Sequence, residues 1–269
     1  MILVVVVCFN QSIDKSLSIS SIKNQSQYFD LIIYDNSTIH YPCDTLDIAQ
    51  INIIRDENNS GLSKAYNYAA SFAKENGYDW LLIADQDTFF PENALEIYNS
   101  AIKDNPDISL FIPKVKTQGK KYMSPVKMRH YVTKLQDSCP IGIINPSDYG
   151  IINSGLLIKV DAFWAVGGYN EKVWLDFADF QFIERFGSKF DKAFVVDMEC
   201  VQSFSNEEQS ISQKLSRYKH FCTSVKHYEP VNKLNKFWIN LIVFKRAGSL
   251  CIQSKSLSPI ITYFQKYLR

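Results

Sequence analysis

Asp85 and Asp87 stand two residues apart, directly after an apolar run at 80–84 (WLLIA). Carboxylates that close repel one another unless something cationic sits between them. A hard divalent ion such as Mg²⁺ satisfies both, because it takes one or two carboxylates and keeps positions for phosphate oxygens and water. A bare Asp-x-Asp says little; one at the carboxyl end of a buried strand says more. A second candidate is the stretch 58–67 (NNSGLSKAYN), a glycine-bearing loop that feeds a helix. The free N–H groups of such a helix start suit a phosphate or a sugar hydroxyl. Ordinary N-capping by Asn59 or Ser60 would account for the same residues. The third is 174–179 (WLDFAD), followed by Gln181, Glu184 and Arg185. A helix starting near Phe177 puts Asp179 in its first turn. There it either compensates the helix dipole or serves as a general base in a crevice whose aromatic neighbours lower the dielectric.

These groups need a scaffold that brings them together. Residues 2–8 (ILVVVVC) are a β-branched run apolar on both faces, as expected of a central strand in a parallel sheet covered by helices. Further strands are expected at 31–34, 51–54, 80–84 and 108–112, a short helix within 12–24, and helices at 62–73 and from Pro91 to about Ile102. This alternation predicts an α/β fold with a mostly parallel sheet. Ligands of such sheets bind beyond the carboxyl ends of the strands. Asn10, Asp35-Asn36 and Asp85-Gln86-Asp87 all fall at those ends, so they are expected to converge on one crevice unless each is turn chemistry alone. From 113 to 148 the pattern fades into a basic stretch with Lys114, Lys116, Lys120, Lys121, Lys127, Arg129 and Lys134. It reads as a solvated loop or as a flap over an anionic ligand. A strand at 151–160, a short helix at 161–166, a Gly167-Gly168 turn, a helix at 177–186 and a strand at 193–196 follow, and the remainder is expected to be helical.

The segments VVVVCFN, LIIYDNST, NNSGLSKAYNYA, WLLIADQDT, INSGLLIKVDAFWAVGGYNE and WLDFADFQFIER, in this order over residues 2–200, resemble glycosyltransferase family 2. The Asp-Gln-Asp-Thr form resembles the rhamnosyltransferase branch, which usually reads Asp-Gln-Asp-Ser. The resemblance implies the GT-A fold, a Rossmann-like, mostly parallel sheet flanked by helices. It implies a catalytic domain over 1–204, with a nucleotide-binding half over 1–112 and an acceptor-binding half over 113–204, and a helical C-terminal region over 205–269. It implies an inverting, metal-dependent transferase that takes a dTDP- or UDP-sugar, holds Mg²⁺ or Mn²⁺, and glycosylates a glycan or lipid-linked acceptor in surface polysaccharide synthesis. By position, Asn10, Asp35, Asn59, Gly61, Lys64, Asn67, Asp85 and Arg185 would serve the donor. Asp85 and Asp87 would hold the metal, Asn153, Ser154, Gly155 and Asp176 would meet the acceptor and sugar, and Asp179 would be the catalytic base. Two departures stand out. Gln181 occupies a position where many relatives carry a second acid. A His found after the last strand in relatives is replaced within 201–205 (VQSFS), so a metal would need water or another group there. His220 and His227 read as structural or surface residues.

Composition sets the bounds. The 269 residues are 46% hydrophobic and 21% charged, which excludes a disordered or collagen-like chain. A net charge of +1 argues against wholesale nucleic-acid binding. Six cysteines show no zinc-type spacing and read as packed thiols in a reducing compartment. No apolar run is long enough to span a bilayer, so a cytoplasmic protein is expected. In 205–269, Lys and Arg interleaved with rings and aliphatics suit a helix on the anionic inner face of a membrane. A subdomain packed on the sheet, or a homodimer contact, would use the same residues. Two other functions compete. A sugar nucleotidyltransferase needs a glycine- and base-rich triphosphate loop, which 8–15 (CFNQSIDK) lacks. A non-catalytic sugar- or membrane-binding module on the same fold would leave Asp85, Asp87 and Asp179 apart.

Overall fold

The computed structural model describes residues 1–39, 41, 51–202 and 210–269. Cys43, and residues 203–205 of VQSFS, lie outside them. Strands β1 (Ile2–Cys8), β2 (Phe29–Asp35), β3 (Ile51–Arg55) and β4 (Trp80–Asp85) run parallel, in the spatial order β4-β1-β2-β3. The register sets Cys8 beside Asp35 and Val7 beside Asp85, so the polar strand ends emerge together. Helices cover both faces, which is why β1 is buried along its whole length. Ile19 and Ile22 of α1 (Leu17–Ile22) pack on Ile2, Val4 and Val6. Ala65, Ala69 and Ala73 of α2 (Leu62–Glu75) lie on the Leu3, Val5 and Val7 side. Short alanine side chains let this helix sit close to the sheet. After β5 (Thr88–Phe89) comes α3 (Ala94–Asp104), which shares the α1 side.

The stretch expected to be a loop is instead built of strands. β6 (Leu110–Thr117) runs through Pro113, and β7 (Tyr122–Ser124), β8 (Val126–Arg129), β9 (Val132–Thr133), β10 (Gly142–Ile144) and β11 (Tyr149–Gly150) follow. Most are two to four residues long, too short for hydrophobic periodicity to register. Lys114 and Lys116 form no flap: they lie on β6 and reach Asp197 at 2.6 Å and Glu199 at 2.7 Å on the neighbouring strand β13 (Ala193–Gln202). The strand expected at 151–160 is confined to β12 (Leu157–Lys159), which joins β4 to β6 antiparallel to both. Gly155 breaks its approach with φ +86. A Cβ there would lie 2.4 Å from Pro113 Cγ, so a glycine is required.

Helices α4 (Val160–Ala165), α5 (Ala178–Lys189), α6 (Ile211–Val225), α7 (Lys233–Ser254) and α8 (Ser258–Thr262) follow, and a C-terminal helical turn (Tyr263–Leu268) comes after them. Tyr218, Phe221, Ile239 and Val243 enter the same core as α2 and α5, so the C-terminal helices share the sheet's interior. No described helix is long and apolar enough to cross a membrane.

Candidate active site

The Asp85–Asp87 turn is clamped from three elements. Ser154 Oγ accepts the Asp85 N–H at 3.0 Å. Ser18 of α1 donates its hydroxyl to the Asp85 carbonyl, and the Leu17 N–H reaches the Gln86 carbonyl at 2.9 Å. Gln86 turns back to accept the Phe9 N–H at 2.7 Å. The serine-rich segment after β1 is thus explained by the carbonyls it must satisfy. Between the two carboxylates lies a side chain that sequence reasoning did not single out. Gln202, at the end of β13, donates its amide to Asp85 Oδ2 at 3.2 Å and to Asp87 Oδ1 at 3.1 Å. Its own Oε1 is buried without a partner among the described residues. Tyr66 of α2 donates to the other Asp85 oxygen at 2.9 Å. Burial and then the charge of Asp87 push Asp85 up to about 6, against these two hydrogen bonds. Burial raises Asp87 as well.

This turn ends a crevice of about 590 Å³, within the usual range of a ligand site. Asn36 lines it as the strand-end argument expected, and Asn59 and Gly61 from the loop before α2 join it, together with Trp174, Arg217 and His220. His220 is exposed, as expected of a surface residue, and stands edge-on to the Trp174 ring at 5.6 Å in the crevice wall. Asn36 Oδ1 is buried and has no partner among the described residues. Asn10 and Asp35 shape the neighbouring loop. Asp35 Oδ1 accepts the Ser37 N–H at 2.9 Å, and Asn10, at φ 50, donates its N–H to Ser37 Oγ at 2.8 Å. The start of α2 differs from the free anion site expected. Its N-cap is Gly61 rather than Asn59 or Ser60, and the Leu62 N–H is spent on the Trp174 carbonyl at 2.8 Å. Lys64 leans on Ser60 Oγ at 3.2 Å and Asp56 at 3.7 Å.

Several of the remaining candidates lie beneath the crevice. Asn67 grips both backbone groups of Tyr169, at 2.9 and 2.8 Å, and Arg185 donates to the Gly168 carbonyl on the same turn. Tyr169 in turn donates to Asn153 Oδ1 at 2.6 Å. Ser154 is fully buried, and the Gly155 carbonyl accepts the Tyr98 hydroxyl at 2.5 Å. Asn153, Ser154, Gly155, Asn67 and Arg185 therefore hold the floor and α5 in place. Asp176 faces Arg217 at 3.3 Å. Gln181 is buried and holds the Glu229 carbonyl at 3.3 Å.

Asp179 sits in the first turn of α5, partly buried beside the crevice rather than in its lining. Phe177 precedes the helix in the left-handed region, at φ 69, and turns the chain into it. Asp179 Oδ1 accepts the Phe180 N–H at 2.8 Å. Burial, with the charges of Asp176 and Asp85 adding, pushes its carboxyl up to about 7. Asp85 and Asp179 thus lie within electrostatic reach of one another, with Tyr66 and Tyr169 feeling both.

Residues 3–167 match Glycosyl transferase family 2, so the chain belongs to that family of glycosyltransferases. The match ends before α5, leaving Asp179 and Arg185 outside it. Among solved structures, S. aureus TarS superposes with a TM-score of 0.56 at 12% identity, covering 92% of this chain and 43% of that one. S. aureus TarS 1-349 in complex with UDP-GlcNAc gives 0.56 at 10% identity, and the complex with UDP gives 0.54 at 14%, each covering 92% of this chain and 72% of that one. This chain therefore spans less than half the length of the first of these. At such identities the likeness establishes the GT-A fold alone. No curated protein matches significantly.

Proposed function

We propose that the chain transfers a sugar, with inversion, from a nucleotide-diphosphate donor to a hydroxyl of a glycan or lipid-linked glycan in surface polysaccharide synthesis. The observation that carries this reading is the carboxylate pair Asp85–Asp87, locked by hydrogen bonds at one end of a diphosphate-sized crevice. The pair suits a hard divalent cation, Mg²⁺ or Mn²⁺. The gap is already bridged by the electropositive amide of Gln202, and that amide turned over would present its buried, unpartnered Oε1 as a further hard oxygen. Such a cation, when bound, neutralises the charge that develops on the departing diphosphate.

The protein's own groups do the rest. Asn36 and Asn59 offer amides to the donor, and Trp174 offers a wall. Asp179 takes the proton of the acceptor hydroxyl as that oxygen attacks the anomeric carbon. One in-line displacement, with the diphosphate leaving from the opposite face, inverts the anomeric centre. The Asp85-Gln86-Asp87-Thr88 form supports a deoxyhexose such as rhamnose as the sugar. TarS bound to UDP and to UDP-GlcNAc supports UDP as a candidate nucleotide beside dTDP. The test is a panel of UDP- and dTDP-sugars with and without Mn²⁺, read by thermal shift and by slow hydrolysis. One donor should protect the protein only with metal and release nucleoside diphosphate. If no nucleotide sugar shifts the melt, the reading falls; pyrophosphate released from a triphosphate and a sugar phosphate would make the chain a nucleotidyltransferase.

A further inference from the structure

We propose that the outer face of α7, continued by the C-terminal turn and by the β8–β9 hairpin, docks on an anionic lipid surface. Helix α7 is apolar on two opposite sides. Ile239, Val243, Ala247 and Leu250 face the core. Leu234, Phe237, Leu241, Phe244 and Ile252 form a second stripe, at 62%, 57%, 44%, 48% and 82% exposure, on the side away from it. Phe264, 53% exposed, extends the stripe through Tyr263, whose ring lies 5.5 Å from that of Phe244. A solvated helix has no use for that second stripe.

Charge says what covers it. Residues 230–269 contain seven Lys and Arg and no Asp or Glu. The fold adds cations from a distant part of the chain. His130 stacks on Trp238 at 3.8 Å and ties the β8–β9 hairpin to α7. Lys127, Arg129, Lys134 and Lys245 then share one groove with Trp238 and Leu241. Exposed Arg129, Lys134, Lys233, Lys245, Lys255 and Lys266 form no ion pair among the described residues. A two-fold contact with a second copy would set this one-signed surface against itself. An anionic bilayer takes the rings and aliphatics into its interface while its headgroups meet the unpaired cations. The groove and stripe are separate from the donor crevice, so the inference stands apart from the transfer chemistry.

The test is flotation of the full chain with vesicles of phosphatidylcholine alone and of phosphatidylcholine mixed with phosphatidylglycerol. The chain should float with the mixed vesicles only, and less as salt rises. At about fivefold per cation, Arg129→Gln with Lys134→Gln should cut partitioning about 25-fold. Phe237→Ser with Leu241→Ser should abolish it, with circular dichroism melts showing that both variants remain folded. A chain that stays unbound with mixed vesicles, or floats equally on neutral ones, overturns the proposal. So does a sedimentation measurement in which wild type is a dimer, the Phe237→Ser, Leu241→Ser variant is a monomer, and neither floats. Donor-induced thermal shifts in the same samples read the transfer site independently.

Discussion

Asp179 sets the pH dependence of the proposed reaction. Its carboxyl is held near 7 mainly by burial, and a base must be unprotonated to work. The rate kcat/KM should therefore rise as pH climbs toward neutrality. A cation on Asp85 cancels one of the charges that raise Asp179, so saturating Mn²⁺ should move that acid limb lower. Asp179→Asn should reduce kcat by about 10²–10⁴ while leaving metal-dependent donor binding intact; near-full turnover would remove Asp179 from the base role. Asp85 yields a second expectation. Its value rises from 3.8 to about 6 on folding, so the folded chain binds more protons than the unfolded one over that window. The contribution of Asp85 to the stability of the metal-free protein is then greatest below the window and falls as pH rises through it. A cation displaces those protons, so the Tm increment from Mg²⁺ should grow across the same window, and Asp85→Asn should abolish the growth. Calorimetric melts at a series of pH values check this, and an increment independent of pH would contradict it. Gln202 acts on the same pair: Gln202→Ala should weaken metal affinity about 10–100-fold, as loss of an orienting partner does, measured by calorimetric titration.

At the scale of elements, the crevice depends on how closely α2 approaches the loop before α5. Gly61 makes that approach, at φ +95, with the place of a Cβ only 2.4 Å from the Trp174 carbonyl oxygen and 2.7 Å from its Cβ. Gly61→Ala should cost about 1–3 kcal/mol in backbone strain, and more if Trp174 cannot retreat. Donor affinity should fall with it, because the Trp174 wall moves although no polar group is lost; denaturant unfolding and a donor titration read the two effects. The central strands and α2 were legible in the sequence because continuous β-branched runs and an alanine-rich helical period leave a strong pattern, as in Ile2–Cys8. The strand-end rule also brought Asn36, Asp85, Gln86 and Asp87 to one crevice. The strands between 122 and 150 were not legible, because each is only two to four residues long, too short for a period-2 pattern to register. Nor was Gln202, whose contacts span more than a hundred residues and depend on where β13 ends. The same applies to Asn67 and Arg185: their types suggested ligand contacts, and only the fold reveals that both are occupied with the turn at 167–169.

Across the whole molecule, one carboxylate ties the candidate base's helix to the β8–β9 hairpin and to the segment that leads into α7. Glu184 of α5 receives the hydroxyls of Tyr131 and Tyr228 on Oε2, at 2.8 and 2.6 Å. Its Oε1 receives the Val231 N–H at 3.1 Å and the Asn235 amide at 2.8 Å. Four donors from the region after β8 and from the start of α7 thus converge on a group that can only accept. The C-terminal helices matter to the site because Gln213, Ser216, Arg217 and His220 of α6 wall the crevice. Glu184→Gln keeps the shape, but with its NH2 toward Tyr131 and Tyr228 the two hydroxyls must accept instead of donate, and charge-assisted hydrogen bonds become neutral ones at a cost of about 1–3 kcal/mol. The expected result is a lower Tm together with a raised donor KM, as α6 loosens from the crevice, while kcat at saturation changes little because Asp85, Asp87 and Asp179 are untouched. That split distinguishes Glu184 from Asp179, whose loss should act on kcat alone. A Glu184→Gln protein with unchanged Tm and KM would mean that the C-terminal helices are held by their shared core with Tyr218, Phe221 and Val243, and not by this carboxylate.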